Sequence, residues 1–227
     1  MNLSFSISLL IWALCVLGSP LLQRRDSDLD STRCPNYCAG TNSSDSSEST
    51  LYVCGDKRLG PNTLPSGIPL EGIVGMNSTY RRFGGLCPGE FLAKYTNASS
   101  GQFVYPPHDG YNLDTAGKVI TFSLTLTPGL FIDRFGSEYG KYVAPAGAPY
   151  AQRSLPPVNL NAAQDAKYPY NYYVYVVVRS IVVQAGPIAP WFGQQGLGLQ
   201  FLMPSTLLEL VEQGYLARVD LEADPNW

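Results

Sequence analysis

Between Lys118 and Gly129 the chain reads KVITFSLTLTPG. Ile120, Phe122, Leu124 and Leu126 alternate with Thr121, Ser123, Thr125 and Thr127. A period of two is the pattern of a half-buried strand, and Pro128-Gly129 ends it. The run YYVYVVVRSIVV, Tyr172 to Val183, is apolar on both faces and reads as one long central strand. PSTLLELVEQG then changes period. Ser205 is its expected N-cap, Leu207, Leu208 and Val211 its apolar stripe, and Gly214 its stop. A last short strand is expected over 215–219. Strands dominate, so the fold class is α+β, with a mainly mixed or antiparallel β-sheet core and few helices.

The N-terminal part lacks such periodicity. Asp26 to Thr50 is polar and serine-rich, and 51–100 is rich in glycine and proline. Four cysteines fall here: Cys34, Cys38, Cys54 and Cys87. Their spacing suits zinc poorly; with Cys15 in the expected signal peptide an even number remains, which in a secreted chain implies two disulfides with three alternative pairings. Secretion is expected from MNLSFSISLLIWALCVLG. Its apolar run, Phe5 to Leu17, is too short to span a bilayer, and Val16 and Gly18 precede a cleavage point.

Residues 1–18 thus read as a signal peptide, and 19–25 as a propeptide ending in the dibasic pair Arg24-Arg25. A disulfide-pinned, loop-rich subdomain follows over 26–100, then a main domain over 101–219 and an acidic tail over 220–227. No other segment reads as a membrane span, so the product is expected outside the cell or on its surface. Three sequons begin at Asn42, Asn77 and Asn97 and mark candidate glycosylated loops. The net charge of −3 provides no basic field for nucleic acid.

Common catalytic signatures are missing. The chain has no G-x-S-x-G, H-E-x-x-H or Walker A sequence, and GQQGLG is not a dinucleotide loop. The one histidine, His108 in YPPHDG, reads as a solvated turn residue rather than a base. The central block from Leu126 to Pro157 mixes Arg134, Glu138, Lys141 and Arg153 with Phe131, Phe135, Tyr139, Tyr142 and Tyr150. An arginine fork clamps phosphate and aromatic rings stack on flat rings, as a dinucleotide requires. On composition alone, surface ion pairs and packing aromatics are the better reading, since both are ordinary. In the tail, Asp220, Glu222 and Asp224 share one side if the strand continues. They are candidate ligands for calcium, which takes oxygen donors.

DRFGSEYGKYVAPAGAPYAQRSLPP, the tyrosine-rich strand, IAPWFGQQGLGLQF and GYLARV occur in that order. Together they resemble the TNT domain, the NAD glycohydrolase domain named for tuberculosis necrotizing toxin, over about 101–219. The secretory features resemble its fungal branch of secreted or conidial-surface enzymes. The resemblance implies cleavage of NAD+, and of NADP+, to ADP-ribose and nicotinamide, with no cofactor at the reacting centre. It implies Arg134 on the phosphates, Phe135 and Tyr142 near the substrate, Arg153 as a second contact and Gln194 as the amide on which activity depends. Trp191 stands beside it, and Glu138 is a reserve carboxylate. A homodimer and calcium near the C-terminus are implied as well. One departure is YPYNYY, which has no histidine where the bacterial toxin carries one. The rival readings are an ADP-ribosyltransferase or cyclase using the same site, and a non-enzymatic surface protein.

Overall fold

The computed structural model describes residues 27–42, 48–65, 67, 69–75, 79–162 and 171–221. The expected signal peptide and propeptide, Asn77, Glu222 and Asp224 lie outside the described residues.

Seven strands form one sheet: β1 (Phe122–Leu126), β2 (Phe131–Phe135), β3 (Tyr142–Pro145), β4 (Tyr172–Val177), β5 (Ile181–Pro187), β6 (Leu199–Leu202) and β7 (Leu216–Arg218). Their order is β1-β5-β6-β3-β2-β4-β7, and every pairing is antiparallel. Among the described residues three α-helices accompany them: α1 (Leu70–Val74), α2 (Pro88–Tyr95) and α3 (Leu207–Glu212). The α+β class holds, with the sheet antiparallel rather than mixed.

The expected alternation in β1 is present, with Leu126 buried. Because β1 lies at the sheet's edge, Phe122 on the same face stays 48% exposed. The run Tyr172–Val183 corrects the expectation of one long strand. It breaks at Val178–Ser180, and its halves β4 and β5 pair with different neighbours. The turn before β7 causes the break. Val178 N donates to Tyr215 O at 2.8 Å, and the Arg179 guanidinium donates to Gly214 O and stacks 4.0 Å from the Tyr215 ring centroid. For α3 the cap is Thr206, not Ser205. Its hydroxyl accepts from Glu209 N, while Glu209 Oε2 accepts from Thr206 N, a reciprocal box that uses two orphan donors. Leu207 and Leu210 carry the fully buried face.

The cysteines pair Cys34–Cys87 and Cys38–Cys54. Two disulfides belong to an oxidising compartment, in keeping with an extracellular protein. They pin loops and short 3-10 turns around α2, a helix the glycine- and proline-rich composition concealed. Two core clusters cross residue 100. Leu70, Ile73, Val74 and Tyr80 pack with Phe135, Tyr150 and Tyr172; Phe83, Phe91, Leu92 and Tyr95 pack with Phe192. The second cluster is tight at one point. A Cβ on Gly84 would come within 2.4 Å of the Gly193 Cα, so the two backbones touch where only glycine fits.

Candidate active site

A cleft of about 410 Å³ opens over the sheet's centre. Adjacent strands β6, β3 and β2 supply Gln200, Tyr142, Arg134 and Phe135. The loop before β1 supplies Tyr105, Asp109 and Gly110, and the segment after β3 supplies Arg153, Ser154 and Asn159.

Arg134, the penultimate residue of β2, is half-buried. Its Nε donates to Ser137 O and its Nη1 to Tyr142 O, both at 2.7 Å. Glycine at 140 makes room for it, since a Cβ there would fall 2.0 Å from Nη2. Among the described residues no carboxylate pairs with Arg134. Burial pushes its pKa down, opposed by the Tyr175 and Tyr105 hydroxyls. A cation withdrawn from water and held by carbonyls alone is a prepared anion site.

Arg153 is the opposite case. It forks onto Asp133, with Nη2–Oδ2 at 2.8 Å and Nη1 on Oδ1, and also donates to Ala148 O. Asp133 further accepts from the Tyr172 hydroxyl and Gly147 N. Burial would lower the Arg153 pKa, but the facing carboxylate holds it above its ordinary value. The pair is a satisfied buried network that shapes the cleft wall, and the guanidinium lies 5.2 Å from the Phe135 ring centroid.

Tyr142 donates its hydroxyl to Asp109 Oδ1 at 2.9 Å. Burial, then that carboxylate, push its pKa up to about 12. Gln200 donates from Nε2 to Asp109 O at 2.8 Å.

The other candidates stand elsewhere. Gln194 is buried, and its Nε2 donates to Phe192 O at 3.2 Å and to Arg81 O. It ties the FGQQG loop to the N-terminal part and does not line the cleft. Trp191 donates to Val104 O at 2.7 Å and packs against Tyr95. Glu138 accepts from Arg218 and from the Tyr175 hydroxyl. Burial raises its pKa, but these bonds hold it below the ordinary carboxylate range.

Asp220 is the one tail carboxylate among the described residues, and those residues contain no cluster of three or more metal-ligating side chains. His108 is exposed as expected, and so are the sequon residues Asn42 and Asn97. Sequence reasoning passed over Gln200, Asp109 and Tyr105. Gln200 sits six residues past Gln194 in the same motif. Its position opposite the Tyr142 strand is a consequence of pairing, which local sequence does not display.

A family model described as tuberculosis necrotizing toxin matches residues 125–219. The conidial surface nicotinamide adenine dinucleotide glycohydrolase nadA of Aspergillus fumigatus is 49% identical over 202 residues, covering 88% of this chain and 83% of that protein. Tuberculosis necrotizing toxin, solved with its immunity factor, is 21% identical with a TM-score of 0.39, covering 78% of this chain and 86% of its own. Tse6, solved with Tsi6, is 18% identical with a TM-score of 0.32, over 44% of this chain and 72% of its own.

Proposed function

The chain belongs to the tuberculosis necrotizing toxin family, and we propose that it is an extracellular NAD+ glycohydrolase whose site is the Arg134 cleft. The observation that carries this reading is Arg134 itself, a half-buried guanidinium with no carboxylate partner among the described residues, in a cleft walled by Tyr105, Phe135 and Tyr142. A dinucleotide diphosphate supplies the missing negative charge, and the aromatic walls suit its flat rings.

The chemistry asks little acid help of the protein. Nicotinamide leaves as a neutral base from a positively charged ring, through an oxocarbenium-like state. Binding energy from the remote diphosphate fixes the ribose for attack by water. Gln200 is the amide placed to do this work. Its Nε2 is engaged by Asp109 O, and its carbonyl can accept from a ribose hydroxyl or the attacking water. The role that the family resemblance attaches to Gln194 therefore goes, on geometry, to Gln200. NADP+ is included in the proposal on the strength of the family resemblance.

The test is incubation of purified protein with NAD+ and, separately, NADP+, following nicotinamide release and identifying products by mass spectrometry. Free ADP-ribose supports the reading. Cyclic ADP-ribose or ADP-ribosylated protein as the main product would transfer the site to the cyclase or transferase reading. No nicotinamide release would overturn it.

A further inference from the structure

We propose that Asp109 is a catalytic residue of this cleft: its carboxylate stabilises the positive charge that develops on the ribose as nicotinamide departs. The proposal rests on the NAD+ glycohydrolase reading.

Two carboxylates approach the cleft, Asp133 and Asp109. Asp133 is neutralised by Arg153 and surrounded by donors. Asp109 pairs with no arginine, lysine or histidine among the described residues. Its Oδ1 accepts from the Tyr142 hydroxyl, and its Oδ2 has no donor there. One oxygen is thus fixed, and the other, on an exposed residue, faces solvent and is open to a ligand.

The backbone that presents it is strained. His108 and Asp109 both have φ of 55°, and Gly110 follows at 79°. Asp and His enter this region more readily than most non-glycine residues, and the conformation persists where the surroundings enforce it. Here Tyr111 N donates to His108 O, and Ala189 N to Gly110 O, at 3.0 and 2.8 Å. The turn aims the Asp109 side chain at Tyr142 and its carbonyl at Gln200, so one residue touches both.

Spacing gives the second argument. Arg134 binds the backbone carbonyl of Tyr142, and Asp109 binds the hydroxyl at the far end of the same side chain. Phosphate site and carboxylate are therefore one tyrosine side chain apart. That is the scale separating the 5′-phosphate from the anomeric carbon of a nucleotide ribose. With the diphosphate on Arg134, the anomeric carbon comes to the Asp109 end.

In the step, the bond between the anomeric carbon and the nicotinamide nitrogen breaks, and its electron pair neutralises the ring nitrogen. The positive charge moves to the anomeric carbon and ring oxygen, facing Oδ2. Water then forms the new C–O bond, and its proton passes to Asp109 and on to solvent.

Asp109→Asn removes the charge while keeping an acceptor for Tyr142, the carbonyl for Gln200 and a residue that tolerates positive φ. Asp109→Gly relieves the backbone and opens the site to a small anion. For Asp109→Asn, kcat with NAD+ is expected to fall about 10²–10³-fold, with ADP-ribose Kd within about threefold of wild type and Tm unchanged. Formate or azide is expected to restore part of the kcat of Asp109→Gly, azide giving an azido-ribose product. A kcat for Asp109→Asn within about threefold of wild type overturns the proposal. So does a loss confined to KM and Kd, or an Asp109→Gly enzyme that neither anion restores. If wild-type protein releases no nicotinamide, the parent reading fails and this one with it. If wild type is active and Asp109→Asn equally so, this one alone fails.

Discussion

Arg134, on β2, and Arg153, in the segment after β3, line the same cleft, and the structure treats them as different kinds of residue. Arg153 meets Asp133 fork to fork in a buried network of Tyr172 and Gly147. Among the described residues Arg134 donates to two backbone carbonyls and to no carboxylate, leaving a cation open to an anion. An arginine's role thus follows from the charge balance around it, not from its presence in a motif. A paired arginine stabilises the fold, and an unpaired one in a cleft binds.

Substitution of each arginine should separate these roles. Arg134→Ala is expected to lower kcat/KM for NAD+ by about 10²–10³-fold, the usual effect of removing a preorganised charge contact. Its Tm should stay within about 4 °C, because losing two hydrogen bonds is offset by relieving a desolvated cation. Arg153→Ala should do the reverse. It strands a buried Asp133 carboxylate, a loss of about 3–5 kcal/mol, or roughly 6–20 °C in Tm for a chain of this size. Thermal melts beside nicotinamide-release kinetics check both. A large Tm drop in Arg134→Ala with normal kcat/KM in the folded fraction would erase the distinction.

Two of the three glutamines of the WFGQQGLGLQF motif, Gln194 and Gln200, divide in the same way at smaller scale. Gln200→Ala should cut kcat by about 10²-fold with little change in Tm. Gln194→Ala should lower stability by about 1–3 kcal/mol, since Arg81 O and Phe192 O lose their donor. Gln194→Ala should leave kcat within a few fold once the folded fraction is counted. The opposite outcome returns the amide role to Gln194.

What the sequence displayed and what it hid divide along locality. The alternation of β1, the short strand β7 and the glycine stop of α3 are local patterns, and all were legible. Arg134, Phe135 and Tyr142 were legible through a contiguous family motif. The break between β4 and β5 was not, because both halves are apolar and nothing local announces a change of strand partner. Gln200 and Asp109 were missed for the same reason. Ninety-one positions separate the Gln200 amide from the carbonyl that holds it, and only antiparallel pairing of β6 with β3 brings Gln200 to Tyr142. Gln194 was legible as a motif residue, but its burial against Arg81 depends on how the disulfide-pinned segment folds back.

The last difference concerns the tyrosines that accompany each arginine. Tyr142, beside Arg134, has its pKa pushed up to about 12, by burial first and Asp109 second. Tyr172, on the Arg153 network, is shifted further in the same direction by burial and Asp133. A raised folded-state pKa means the native protein holds the proton more tightly than the unfolded chain. The stability it contributes is complete below about pH 10 and is lost as pH rises toward the folded values. Unfolding is therefore expected above pH 10, in the order set by these shifts. Tyr142→Phe should flatten the part of the stability profile between about pH 10 and 12, and Tyr172→Phe should act at still higher pH, after a larger initial loss of stability from its missing bond to Asp133. Urea midpoints measured across that range test it. A slope unchanged by Tyr142→Phe would mean that its hydroxyl exchanges with water freely, and that Asp109 is not fixed by it.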